Sequence, residues 1–209
     1  MLWKVEDEDE LWIWGGRTIR EIDQDDIEKD EMWRFEADGE GGGRWSSKDP
    51  VESDELDDMY LPYRAAFASY KNTGFAFGGE AVEDSDPDVD DDDLLPVTDM
   101  VTFDFESREF QSSPMPDNSS LIGATAEYIP GVGPNGLILL LGGYRHNAST
   151  SPRPPEDAIS FGNLTFLDPE SKEWYWQTTT GDAPRPRMHH CSVGVKSEQD
   201  SYEMYARFT

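Results

Sequence analysis

His189, His190 and Cys191 stand side by side, and their types most invite chemistry: imidazole and thiolate are good metal ligands, and a histidine can activate a cysteine. Adjacent strand positions point to opposite faces, however, so the two histidines cannot converge on one ion without distorting the backbone. Both are expected to be structural. The run Asp90, Asp91, Asp92 and Asp93 could attract calcium, but it lacks the glycine and the distal glutamate of an EF-hand loop. No metal ligand, cofactor or catalytic group is assigned to either stretch. Asn118-Ser119-Ser120, Asn147-Ala148-Ser149 and Asn163-Leu164-Thr165 are glycosylation sequons, three among five asparagines. Use and coincidence both stay open for them.

Charge decides more than any single residue. Against 45 acidic residues there are 17 basic ones, and the formal net charge of -28 repels nucleic acid and anionic membrane surfaces while favouring a basic protein partner. No nucleic-acid or membrane contact is expected within this stretch. Seven Trp, eight Tyr and ten Phe supply the large side chains of a packed core, so the acidity belongs to loops on a folded body. Cys191 is the only cysteine, which excludes an internal disulfide and cysteine-rich zinc or redox motifs. Nothing after Met1 resembles a signal peptide and no apolar run approaches the length that spans a bilayer, so the stretch reads as soluble. The compartment stays open, either cytoplasmic or within a secreted or membrane-anchored parent.

The elements that would position these groups are short strands in a repeat. LWIWGG, FAFGG and LILLLGG each end an apolar run on a double glycine, at Gly15-Gly16, Gly78-Gly79 and Gly142-Gly143. The second glycines are 63 and 64 residues apart, and Asp104 to Phe110 matches Asp168 to Trp174 at the same offset of 64. Two independent landmarks therefore share one register. Alternating β-rich runs and turn signals divide the chain into units at 1–47, 61–113 and 121–180, each with four strands, and the first hairpin of another at 186–209. Long polar loops are expected at 17–30, 48–60, 80–98 and 144–161.

An isolated four-stranded sheet has two faces to cover, and stacking similar sheets covers both. The glycine pairs would admit neighbouring backbone, and Trp45, Phe110 and Trp174, at the start of each fourth strand, would fill the space between sheets. If Trp174 is fully buried, its loss should cost about 3 to 5 kcal/mol.

These residues resemble the kelch-repeat β-propellers. The resemblance rests on the three glycine pairs, the Asp168-Pro169-Glu170 turn before Trp174, and Pro186-Arg187-Met188-His189-His190 opening the fourth unit. It covers nearly the whole chain and implies an all-β fold of four-stranded antiparallel blades arranged as a partial kelch-type propeller. It also implies that His190, three residues after Arg187, belongs to the repeat. Arg64 and Arg187 open their units and could pair with a carboxylate or with carbonyls between blades. Kelch propellers close with more blades than this chain holds, so the expectation is an incomplete ring, a fragment or part of a longer protein.

Strand direction alternates within a blade, so the loops joining strands two and three share a rim with the connections between blades. Glu21 to Glu31, Glu52 to Asp58 and Glu80 to Asp93 place 21 of the 45 acids on that rim. Its candidate binding residues are Asp25, Asp26, Asp57, Asp58, Asp90, Asp91, Asp92 and Asp93. One reading is a docking face for a basic protein segment; the other is solvated loops without a partner. Function is thus expected to be a protein-binding scaffold without catalysis of its own. Two alternatives are a glycosylated secreted or anchored propeller, as in some fungal kelch proteins, and a copper-radical oxidase. The oxidase needs two Tyr, two His and a crosslinking Cys set apart, and beyond the adjacent pair only His146 remains.

Overall fold

Leu137–Leu141 is apolar at all five positions, which a strand adopts when both of its faces are covered. A computed structural model describes residues 1–6, 8–17, 27–47, 54–90, 93–146, 158–197 and 201–207, and in it Ile138 and Leu140 face one core while Leu139 and Leu141 face another. The whole fold repeats this layering.

The first sheet is an antiparallel meander of β1 (Leu2–Lys4), β2 (Glu10–Trp14), β3 (Met32–Ala37) and β4 (Gly43–Ser47). After a short helical turn, α1 (Asp54–Asp57), come β5 (Ala66–Tyr70) and β6 (Thr73–Phe77), then the small ribbon of β7 (Glu80–Val82) and β8 (Leu94–Pro96). Strands β9 (Asp99–Asp104) and β10 (Phe110–Pro114) complete the second sheet in the order β5-β6-β9-β10. A second ribbon pairs β11 (Ser120–Ile122) with β14 (Tyr144–His146). The third sheet runs β12 (Thr125–Ile129), β13 (Leu137–Leu141), β15 (Asn163–Leu167) and β16 (Trp174–Thr178), and a hairpin of β17 (Cys191–Lys196) and β18 (Tyr202–Arg207) follows. The chain is therefore all-β, built on four-stranded antiparallel sheets. Among the described residues no helix is long and apolar enough to cross a membrane.

Three of the expected polar loops contain structure. Residues 80–98 hold β7 and β8 because Ala81, Val89 and Val97 bury a small core of their own, and residues 144–161 begin with β14 paired to β11. Residues 48–60 include α1, whose Leu56 is buried against the first sheet's core.

Period-two alternation makes the layers. Trp3, Val5, Trp12 and Trp14 of the first sheet meet Ala76, Val101, Phe103 and Phe110 of the second. On its other face the second sheet presents Ala66, Ala68, Phe75 and Phe77 to Leu140, Ile138 and Leu167 of the third. Leu139 and Leu141 then meet Tyr202 and Met204 of the hairpin. First strands are neighbours throughout: β1 touches β5, β5 touches β12, and β12 touches β17.

Close approach of these first strands explains the glycine pairs. Gly78 and Gly79 have φ of +61° and +99°, Gly142 and Gly143 +61° and +83°, and the second glycine of each pair donates its N–H to the next unit, to the Leu121 carbonyl (2.9 Å) and the Arg187 carbonyl (2.8 Å). A further backbone ladder runs beside it. Arg64, Gly123 and His189 each stand two residues before a first strand with positive φ, and Gly123 N–H donates to Arg64 O (2.9 Å) while His189 N–H donates to Gly123 O (2.8 Å).

The Asp turns also recur. Asp104 Oδ1 accepts from the N–H groups of Glu106 and Ser107, and Asp168 Oδ1 from those of Glu170 and Ser171. Asn72 and Asn135, each in the turn between first and second strands, add an amide donor to the same aspartates. Burial would raise the Asp168 carboxyl, but the Ser171 and Glu170 N–H groups and the Asn135 amide outweigh it and hold the pKa below the ordinary value.

The three aromatics expected at the start of the fourth strands differ in burial, and while Phe110 and Trp174 are first residues of β10 and β16, Trp45 is the third of β4. Phe110 is buried against Trp14, with ring centroids 4.6 Å apart, and Trp174 is half-buried, edge-on to Phe77 at 6.0 Å. The full-burial cost considered above for Trp174 is accordingly too large. Trp45 does not fill a space between sheets: it is 48% exposed on the outer face of the first sheet, where its ring lies 5.0 Å from that of Phe35.

Candidate functional site

Antiparallel meanders bring the segment after β2, the connection between the first two sheets, and the segment after β6 to one side of the fold. Arg17 pairs with Asp84 across two of them. Lys29 Nζ lies 2.5 Å from Asp88 Oδ2 and 3.7 Å from Asp86 Oδ1, and it donates to the Met59 carbonyl at 2.9 Å, so one ammonium ties all three segments together. Asp86 is fully buried and accepts the Leu61 N–H (2.5 Å) and the Asp88 N–H (2.9 Å). Glu80 is fully buried as well, paired with Arg64 at 2.7 Å, while the Arg64 guanidinium stacks over the Tyr63 ring at 4.7 Å.

Part of the acidic rim is therefore internal framework rather than a solvated surface. Carboxylates go inside here because each is met by a cation, and Asp86 by two backbone N–H groups as well, which offsets their desolvation. Asp57, Asp58, Asp90 and Asp93 remain exposed on the rim. Asp25, Asp26, Asp91 and Asp92, also named as candidate contacts, lie outside the described residues.

Between the sheet connection and the start of β9 lies a pocket of 340 Å³, lined among others by Asp58, Asp99, Tyr60, Met59, Val97 and Val101. Two carboxylates beside a tyrosine and an apolar lining suit a long side chain with an apolar stem and a cationic tip. Neither Tyr60 nor Asp99 is marked by any sequence motif. The signal for them was only their place beside charge runs.

His190 is buried, with Nε2 3.2 Å from Thr125 Oγ1, its ring edge-on to Phe161 and its Cε1 against Gly142. Burial, then the charges of Arg187 and His189, lower its pKa below the ordinary imidazole value. Cys191 points to the exposed face of the hairpin, opposite Arg207, so the tripeptide does not converge. Arg187 serves the fold through its carbonyl, which accepts from Gly143, and its Nε donates to the Arg185 carbonyl at 2.9 Å. Among the described residues no three His, Cys, Asp or Glu side chains come together to hold a metal ion. Asn118 and Asn163 are exposed, and Asn147 lies outside the described residues.

The lowered His190 pKa has a measurable consequence. As pH falls through the ordinary imidazole range near 6.5, the unfolded chain takes up a proton that folded His190 resists, so this residue's contribution to stability declines with acidification. Urea midpoints of the wild type and of His190→Gln, compared at pH 7 and pH 5, should show the wild type losing stability relative to the variant. A difference independent of pH would contradict the assignment.

No protein-family model matches this chain, and no curated protein matches it.

Proposed function

We infer that this chain is a kelch-type β-propeller module that docks a basic segment of a protein partner on its loop rim, without chemistry of its own. The propeller reading is supported by the adjacency of the first strands from sheet to sheet and by the glycine pairs that admit the next unit's backbone. The observation that carries the binding reading is the pocket lined by Asp58 and Asp99, in a chain whose Asp57, Asp90 and Asp93 are also exposed. A Lys or Arg side chain would place its stem along Met59, Val97 and Val101 and its charge beside the carboxylates. The remaining rim acids would attract the rest of a basic segment at a range of about 8 Å in physiological salt.

A fluorescently labelled peptide rich in Lys and Arg, titrated by anisotropy, tests this reading. Binding should weaken as salt rises from low to physiological, and replacing both Asp58 and Asp99 with Asn should lower affinity roughly tenfold, or about 1.4 kcal/mol. Binding that is unchanged in that double variant removes the pocket from the reading.

A further inference from the structure

Each sheet in this chain has a receiving face and a presenting face. The second sheet receives the first through Val101, Phe103 and Phe110, and the third receives the second through Ile138, Leu140 and Trp174. In the first sheet the equivalent face is open. Its register identifies it: Trp45 stands opposite Phe35 as Phe110 stands opposite Phe103 and Trp174 opposite Leu167. Leu2, Trp33 and Trp45 on that face are 43%, 40% and 48% exposed.

The hairpin leaves the complementary half open. Cys191 and Val193 follow the left-handed His189 by two and four residues, as Ala66 and Ala68 follow the left-handed Arg64, and Ala66 and Ala68 belong to the face that the second sheet presents to the third. Val193, Val195 and Tyr205 are all exposed there. In a chain with 45 acids, the strand residues of these two faces include one, Glu203, whose carboxylate accepts the Tyr205 hydroxyl at 2.6 Å, and Glu31, just before β3, accepts the Trp33 indole N–H at 2.9 Å. Each of these carboxylates is engaged with an aromatic side chain of its own face, and most of the charge excess that would oppose contact lies elsewhere.

We propose that the two open faces bind each other between copies of this chain, with the β17-β18 hairpin of one copy covering the outer face of the first sheet of another. The contact is heterologous, since unlike faces meet, and the intramolecular sheet interfaces supply its pattern. It stands apart from the rim reading, and salt separates the two. Two chains of net charge -28 repel, so salt screening strengthens this association while it weakens binding of a basic peptide.

Light scattering coupled to size exclusion, at rising protein concentration and in high salt, reads the assembly. The wild type should form dimers or larger species. Trp45→Asp and Val193→Asp, each at an already exposed position, should each be monomeric alone with unchanged thermal melting. Because each variant keeps the face that the other has lost, mixing them should restore a 1:1 complex. A wild type that stays monomeric at all concentrations overturns the proposal, as does association that survives either substitution. Failure of the mixture to form dimers overturns its heterologous form; a further sheet of a longer polypeptide would then be the occupant.

Discussion

Gly78→Ala should destabilise the chain by on the order of 3 kcal/mol, combining left-handed strain of about 1–2 kcal/mol with overpacking of about 1–3 kcal/mol. The added Cβ would lie 2.4 Å from the Leu121 nitrogen and 2.9 Å from its carbonyl oxygen, and backbone cannot rotate away as a flexible side chain would. Leu121 is held in turn, since its carbonyl accepts the Gly79 N–H and β11 is paired with β14. Relief therefore requires the β11–β14 ribbon to move away from the end of β6. Gly131→Ala is the control: φ there is +81° but nothing lies within 4 Å, so it carries the strain without the collision. For a chain of 150–250 residues, about 3 kcal/mol corresponds to a fall in Tm of roughly 6–12 °C. Thermal melts of the two variants would decide it, and equal losses would mean that close approach is not what the glycine provides.

That collision was legible in the sequence, because a constraint of this kind leaves a residue type behind. Only glycine tolerates both the positive φ and the missing space, so Gly78-Gly79 and Gly142-Gly143 recur at nearly fixed spacing. The Asp104 and Asp168 turns are legible for a similar reason, since a short carboxylate is needed to accept the backbone N–H groups that follow. The ladder of Arg64, Gly123 and His189 leaves no such trace. It is made by backbone atoms, three unlike residues occupy it, and only their place before a first strand relates them.

Burial of the acids was illegible for a different reason. A run such as Glu80 to Asp93 reads by composition as solvated, and what buries Glu80 and Asp86 is Arg64 in one case and Lys29 with the Leu61 N–H in the other. Those partners come from other segments, which local pattern does not report. Trp45 marks the opposite limit. Its register is that of Phe110, and its exposure depends on what stands against the first sheet rather than on anything near it in the chain.

Trp3→Ala should cost about 3 to 5 kcal/mol, the range for deleting a buried large aromatic. Trp3 is 1% exposed, its ring lies 6.2 Å from Trp14 and 6.1 Å from Phe103, and its Nε1 donates to the Phe75 carbonyl at 2.9 Å. It thus belongs to the first sheet while its hydrogen bond belongs to the second. The ring fits because Gly74 leaves a notch: a Cβ at that position would fall 2.6 Å from Trp3 Cδ2, although Gly74 itself lies outside the left-handed region. Gly74→Ala should therefore destabilise chiefly by forcing the indole out. In a Trp3→Ala background the same methyl would enter the space the ring has left, and its cost should fall by at least about 1 kcal/mol, a coupling of the size expected for residues in contact. Trp3→Phe keeps much of the ring but loses the bond to Phe75, so it should lie between wild type and Trp3→Ala. Urea midpoints of the two single variants and the double variant form the cycle. Additive losses would show that Trp3 and Gly74 are independent and that the notch does not hold the first two sheets in register.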